Sequence, residues 1–227
     1  KESISKNHIT MSQRINCFIP YGDETQTKET ILNLKKDALV GKIYLLNAGE
    51  KGRCALEGCE VVDVPSLKNT EAMKKIAERA DADFTLLYTK ESKLEWVHFA
   101  LERMVNIAED SGAAMIYADH FNVIDGVRSF APVIDYQMGS LRDDFDFGSV
   151  LLYRTSAFKE AVSRMNINYQ FAALYDLRLK VSQKGVLEHM NEYLYYEVEM
   201  DTRKSGEKLF DYVDPKNRAV QIEMEQA

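Results

Sequence analysis

The side chains best suited to chemistry lie together in the segment 140–148. Asp143, Asp144 and Asp146 place three carboxylates within four positions, directly after Arg142. Such carboxylates can hold a divalent metal, orient a sugar hydroxyl or act as a general base. The alternative is an acidic loop in which Arg142 pairs locally with an aspartate while neighbouring phenylalanines fill the core. The local sequence leaves both interpretations open.

The elements that must position these acids follow from the pattern of apolar residues. Residues 149–153 form a short apolar run after Gly148, which predicts a buried strand with the acids in the loop that enters it. Further buried strands are predicted at 15–20, 42–47, 60–64, 84–88 and 114–118. Helical spacing between them predicts helices over 27–39 and 69–80, and Ser92 with Glu95 forms a capping-box pattern that predicts a third. This alternation predicts an α/β fold with a mostly parallel sheet and helices on both faces.

The second half of the chain is less regular. We expect an edge segment over 126–135, helices from about Ser156 and over 171–184, and a half-buried strand over 193–200. Residues 1–13 are predicted to be a flexible lead-in and 14–200 one domain. Residues 201–227 are predicted to be a C-terminal extension, truncated because it ends within a helix-like run, with further domains beyond it.

The composition limits the classes of function. A formal charge of −7 argues against nucleic-acid binding. No apolar run reaches the roughly 18–20 residues of a membrane span. Three cysteines give no disulfide framework, so we expect a cytoplasmic protein, with peripheral placement at the inner face of the membrane as an alternative.

The predicted sheet also indicates where a ligand binds. In mostly parallel sheets, ligands bind beyond the carboxyl ends of the strands. Those ends are predicted at Pro20–Tyr21, Asn47–Ala48, Tyr88–Thr89 and Ala118–Asp119.

Four segments in order resemble family 2 glycosyltransferases of the GT-A fold, over roughly residues 14–200. They are 18–24 at the first strand, 45–50 at the second, 117–120 after the fifth, and 176–179 in a later helix. The resemblance implies a nucleotide-sugar donor, a carbohydrate or lipid-linked acceptor, and hexosyl transfer in bacterial polysaccharide or glycoconjugate synthesis. The donor-binding residues it implies are Pro20, Tyr21, Asp23, Asn47, Thr89, Lys90 and Asp119, with Arg142 steadying the diphosphate.

The chain departs from the family's pattern at three acidic positions. Asn47 and Ala48 stand where two acids are usual, which weakens recognition of a uracil-type base. Thr89-Lys90-Glu91 replaces the metal-binding Asp-x-Asp, which weakens the binding of Mn²⁺ or Mg²⁺ and leaves Glu91 as the candidate ligand in this segment. Lys90 can neutralise phosphate itself. The segment 173–174 reads Ala-Leu where the family carries the Glu-Asp pair of its catalytic base.

A carboxylate relocated to the 143–146 segment would restore the missing base. Asp143 and Asp144 are the preferred candidates, with Asp146 as an alternative, because an inverting displacement needs a group that accepts the acceptor's proton. The main hypothesis is therefore a glycosyltransferase. One alternative is a catalytically impaired GT-A domain that binds a nucleotide sugar or docks a partner. A nucleotidyltransferase ranks last, since the chain lacks a glycine-rich basic phosphate loop near the first strand.

Overall fold

The computed structural model describes residues 13–48, 56–199 and 217–227. Its helices are α1 (Glu24–Leu34), α2 (Thr70–Arg79), α3 (Ala100–Ser111), α4 (Thr155–Ser163), α5 (Ala173–Ser182) and α6 (Arg218–Gln226). Its strands are β1 (Ile15–Pro20), β2 (Val40–Ala48), β3 (Glu60–Val64), β4 (Phe84–Tyr88), β5 (Lys93–Trp96), β6 (Met115–Ile124), β7 (Val127–Ala131), β8 (Val150–Arg154) and β9 (Leu187–Glu199).

The described strands form one sheet in the order β3-β2-β1-β4-β8-β6-β9-β5, with β7 paired to β6. Strands β1, β2, β3, β4, β6 and β9 run in one direction, whereas β5, β7 and β8 run in the other. The predicted mostly parallel sheet is confirmed. The reversed β8 matters for the site, because its first residue lies at the edge of the sheet where the parallel strands end.

Helices cover both faces of this sheet, as predicted. Leu45 packs in the core cluster that contains α1 and α3, whereas its neighbour Leu46 packs in the cluster that contains α2, α4 and α5. Successive strand residues point to opposite faces, so a strand buried on both sides supplies both clusters. This explains why β1 and β4 read as unbroken apolar runs in the sequence.

Local capping determines where the first two helices begin. The Asp23 side chain accepts a hydrogen bond from the Gln26 amide at 3.1 Å, so α1 begins three residues before the predicted start and ends at Leu34. Asn69 caps α2 through the Glu71 amide at 2.6 Å, which confirms the predicted cap.

The helix predicted to open at Ser92 is wrong, because that segment forms strand β5. Its residues pair with β9 from Lys93 to Trp96, and the Leu94 amide donates to the Thr30 hydroxyl at 3.0 Å. Helix α3 begins only at Ala100. Pairing with a strand about a hundred positions away overrides the capping-box pattern, and local sequence does not show that pairing.

Three predictions about the ends of the chain and its location are left open. The lead-in at 1–12 and the polar stretch at 201–216 lie outside the described residues, so the domain boundaries stay a prediction, as does the cytoplasmic location. Within the described ranges, no helix is both long and apolar enough to cross a membrane.

Candidate functional site

The turns that follow β1 and β4 lie against each other at the carboxyl edge of the sheet. A Cβ placed on Gly22 would stand 2.8 Å from Cβ and 2.9 Å from the carbonyl oxygen of Glu91. Only glycine allows this approach. Pro20 is buried at the end of β1, and the Tyr21 amide donates to the Leu46 carbonyl at 2.9 Å. The structure therefore brings these predicted donor-binding positions together.

Asn47 lies at the same edge, at the end of β2. It is 9% exposed, and its amide nitrogen donates to Asp63 Oδ1 at 2.8 Å. Its amide oxygen is buried and has no hydrogen-bond partner within the described part of the chain. A buried acceptor without a donor is uncommon in folded proteins, so this oxygen is a candidate acceptor for an N–H group.

Lys90 extends from the end of β4 over a buried acid of β9. Its ammonium pairs with Glu197, whose side chain is 1% exposed, while the lysine side chain is 48% exposed. The second carboxylate oxygen of Glu197 lies 3.4 Å from Nε2 of His120. Burial lowers the pKa of His120 below its ordinary value, which favours the neutral imidazole beside the Lys90–Glu197 pair.

Tyr195 joins this cluster to the start of β8. Its ring stacks on His120 with centroids 5.0 Å apart, and its hydroxyl accepts the Ser149 amide at 3.0 Å. The Thr89 amide donates to the Ser149 carbonyl at 2.9 Å. The acidic segment therefore enters the sheet beside Thr89 and Lys90.

The acidic segment itself makes local contacts. Arg142 pairs with Asp144 at 2.9 Å, Asp143 accepts the Asp144 amide at 3.1 Å, and Asp146 accepts the Gly148 amide at 2.7 Å. Phe147 is fully buried against Tyr117 and Phe145. These are the contacts expected of the structural interpretation, and they leave the Arg142 side chain 73% exposed.

Asp119 is buried below the loop that follows β7. Its carboxylate accepts the Val133 amide at 2.9 Å and lies 3.0 Å from Nε2 of His189, whose Nδ1 lies 2.5 Å from Asp135. Asp119 is 1% exposed, so its observed contacts tie β6 and β9 to that loop. Asp23, another predicted donor residue, caps α1 as described above.

Sequence reasoning missed Glu197, His189 and Glu223. In the sequence, Glu197 is one residue of a strand with alternating pattern. The one signal that could have identified it as functional is its position directly after several tyrosines of that strand. Glu223 of α6 accepts the amides of Gln170, Phe171 and Ala172 at 2.7–3.1 Å. These amides directly precede α5, next to the Ala-Leu pair at 173–174.

Glu91, the candidate metal ligand, lies in the turn that follows β4. Among the described residues, no group of three histidine, cysteine or acidic side chains is arranged to hold one. Lys90, the neighbour of Glu91, is a cation that pairs with Glu197.

The order and direction of the strands define the GT-A type of glycosyltransferase fold. The chain is similar to crystal structures of S. aureus TarS, a glycosyltransferase of this type. Against TarS 1–349, the TM-score is 0.56 at 11% identity, with 82% of this chain and 60% of that chain covered. For the complex with UDP-GlcNAc, the TM-score is 0.57 at 11% identity, with 87% and 61% covered.

A third TarS structure, in complex with UDP, gives a TM-score of 0.55 at 10% identity, with 82% and 60% covered. The chain thus spans about 60% of the length of these TarS structures. No protein-family model matches the chain, and no curated protein sequence matches it. At this identity the likeness establishes the fold.

Proposed function

We propose that this chain is a glycosyltransferase domain that transfers a hexosyl group from a nucleoside-diphosphate sugar to a hydroxyl acceptor. The similar TarS structures include complexes with UDP-GlcNAc and with UDP, which supports a donor of that class. A role in bacterial polysaccharide or glycoconjugate synthesis, with a carbohydrate or lipid-linked acceptor, follows from the resemblance noted above.

The observation that carries the proposal is the ion pair between Lys90 and Glu197. The buried carboxylate fixes the end of the lysine, whose side chain is 48% exposed, and an ammonium has three N–H donors, so one contact leaves donors for a ligand at the carboxyl edge of the sheet. A fixed cation at this place can neutralise the charge that develops on a departing diphosphate. Lys90 then performs the task for which the resembled family uses a metal, and Arg142 supplies a second, exposed cation.

The nucleotide base is assigned to the end of β2. Asn47 offers a buried amide oxygen that can accept an N–H group from the edge of a base. Pro20, Tyr21 and Thr89 border the same edge and complete the donor-binding set, whereas Asp23 and Asp119 act mainly through the fold.

The acceptor's proton is assigned to the acidic segment. Asp143 is preferred as general base, because the observed arginine contact of the segment falls on Asp144 rather than on Asp143. Asp144 and Asp146 remain alternatives, and the loop borders Thr89 through Ser149.

The second candidate function is a GT-A domain that binds a nucleotide sugar or a partner without catalysis. Two observations favour it: the acids of the 143–146 segment bind their own loop, and residues 173–174 carry no acid. The transferase and the nucleotide-sugar binding module both need the donor pocket, and only the transferase turns the nucleotide sugar over.

Calorimetric titration with UDP, GDP and UDP-GlcNAc, each with and without Mn²⁺, tests the donor pocket. The comparison is between the wild type and Lys90→Met combined with Glu197→Gln, which removes the cation without leaving a buried charge. We expect the wild type to bind one nucleotide and the double variant to bind it at least about tenfold more weakly, as loss of a charged hydrogen bond implies. Lys28→Met is the control, since Lys28 is a comparably exposed lysine paired with Glu24. A folded wild type that binds none of the three ligands contradicts the transferase and the nucleotide-sugar module, and it leaves the module that docks a partner.

A further inference from the structure

The carboxylate of Glu223 is bound by three consecutive main-chain amides. Its Oε2 accepts from Gln170 at 2.9 Å, Phe171 at 2.7 Å and Ala172 at 3.1 Å, and its Oε1 accepts from Gln170 at 3.0 Å. Consecutive amides that face one point form an anion-binding concavity, and the amino end of a helix adds to its positive potential. Helix α5 has no side-chain cap of its own, and Glu223 takes that place from another helix.

Helix α6 packs on the surface of the domain. None of its residues is buried, and Met224 and Ala227 pack only partly against the core. The carboxylate contact attaches α6 to the domain, and an acid about fifty positions away in sequence caps α5.

The bound segment joins two helix ends at the carboxyl edge of the sheet. The Asn69 side chain donates to Gln170 Oε1 at 2.8 Å, and the Thr70 amide donates to the Tyr169 carbonyl at 3.0 Å. Because Asn69 caps α2, the segment around residue 170 fixes the start of α5 relative to α2. Glu223, on the surface helix α6, binds the amides of this segment.

Helix α5 in turn supports the acidic segment. The Tyr175 hydroxyl donates to the Leu141 carbonyl at 3.3 Å, and the Arg178 guanidinium lies 5.3 Å from the centre of the Phe147 ring. These contacts hold both ends of the stretch that carries Asp143, Asp144 and Asp146. A change at the start of α5 is therefore transmitted to the acids.

The geometry also decides against Glu223 as the proton acceptor. Its oxygens already receive four amide hydrogen bonds, so few lone pairs are left for a substrate hydroxyl. Its chemistry is that of a fixed anion that holds backbone in place.

We propose that Glu223 is a positioning residue that, through α5, fixes the acidic segment 141–147 for the transfer reaction. This inference rests on the proposed function for its effect on turnover. Replacing Glu223 then lowers the rate of the chemical step more than it weakens donor binding, because Arg142 is the one proposed donor-binding residue within the segment and the others lie at the ends of β1, β2 and β4.

The test compares Glu223→Gln, Glu223→Asp and the wild type, with Glu225→Gln as control because Glu225 is exposed on the same helix. Hydrogen exchange followed by mass spectrometry reports the amides of 170–172, and release of UDP from UDP-GlcNAc gives kcat and KM. We expect Glu223→Gln to exchange about tenfold faster at 170–172, since each bond to a charged group is worth about that factor. We expect its kcat to fall about tenfold, as a misplaced catalytic group implies, with a smaller change in KM from Arg142.

Glu223→Asp should recover part of kcat, because it keeps the charge, and Glu225→Gln should match the wild type. Unchanged exchange at 170–172 in Glu223→Gln, or faster exchange with an unchanged kcat, overturns the inference. A fall in kcat together with equally faster exchange throughout β1 and β4 reflects general destabilisation and also overturns it. If the wild type itself releases no UDP, the failure is that of the proposed transferase.

Discussion

Lys90 and Glu197 form an ion pair between the turn after β4 and the second half of β9, with the carboxylate 1% exposed and the lysine side chain 48% exposed. The pair joins residues 107 positions apart. A buried carboxylate is tolerated only with a cation or hydrogen-bond donors close by. The contact with Glu197 therefore fixes the position of the half-exposed Lys90 side chain.

Removal of the lysine alone should therefore destabilise the protein. Lys90→Met leaves Glu197 as an uncompensated buried charge, and we expect the free energy of unfolding to fall by about 3 kcal/mol. Urea denaturation measures this change. Lys28→Met breaks an exposed pair between residues four apart and should change stability by about 0.5 kcal/mol at most. Equal small effects of the two substitutions would show that Glu197 needs no partner.

His120 makes stability depend on pH in a defined direction. Burial lowers its pKa, and Lys90 acts in the same direction, against the opposing charges of Glu197, Asp146 and Asp119. The unfolded chain binds a proton near the ordinary histidine pKa of about 6.5, whereas the folded chain resists protonation. The contribution of His120 is thus fully present above about pH 6.5 and is lost as the pH falls towards the lowered folded value.

His120→Asn should flatten that part of the stability profile. Unfolding free energies measured between pH 7.5 and pH 5 would show a smaller loss on acidification for the variant than for the wild type. His98→Asn is the control, since His98 is exposed on the surface. Parallel profiles for wild type and His120→Asn would mean that the buried imidazole accepts a proton without penalty.

Position 148 requires glycine for two reasons: its backbone conformation and its close contact with Tyr195. Its φ is +72°, and a Cβ there would stand 2.4 Å from the hydroxyl oxygen of Tyr195. We expect Gly148→Ala to lower the free energy of unfolding by more than about 2 kcal/mol, from left-handed strain plus the clash. Gly126→Ala separates the two effects, because Gly126 has a φ of +79° with nothing within 4 Å.

A double-mutant cycle with Tyr195→Phe isolates the clash. In the wild type this substitution removes the acceptor for the Ser149 amide and should destabilise by about 1–3 kcal/mol. In the Gly148→Ala background it also relieves the clash, so its effect should be smaller. Additive effects of the two substitutions would show that the added methyl group stands clear of the hydroxyl.

Much of the fold follows from local sequence. The apolar runs of β1, β3 and β4 predict the observed bounds, and Asn69 is predicted correctly as the cap of α2, because burial on both faces and capping leave local patterns. The prediction of helix at β5 is wrong, because the conformation of this segment depends on pairing with β9. Long-range pairing leaves no local pattern to read.

The candidate site shows the same division. The sequence indicates which edge of the sheet carries the site, because Asn47 lies at the end of one buried strand and Lys90 follows another. It does not show that Lys90 meets Glu197 or that Glu223 caps α5, because both contacts join distant segments of chain. The sequence also does not show which carboxylates of the 143–146 segment bind their own loop and which are exposed to solvent.

The last prediction distinguishes a transferase from a binding module. If Asp143 accepts the acceptor's proton, Asp143→Asn should lower kcat about 10²–10⁴-fold, the usual contribution of a general base, with little change in donor affinity. Asp144→Asn tests the alternative base, and Asp110→Asn on the exposed surface of α3 is the control. Release of UDP from UDP-GlcNAc measures the rates. If turnover is detectable and both Asp143→Asn and Asp144→Asn leave it intact, the relocated base is wrong. Nucleotide binding without turnover in the wild type would instead identify the chain as the binding module, because a folded donor pocket would then exist without a working base.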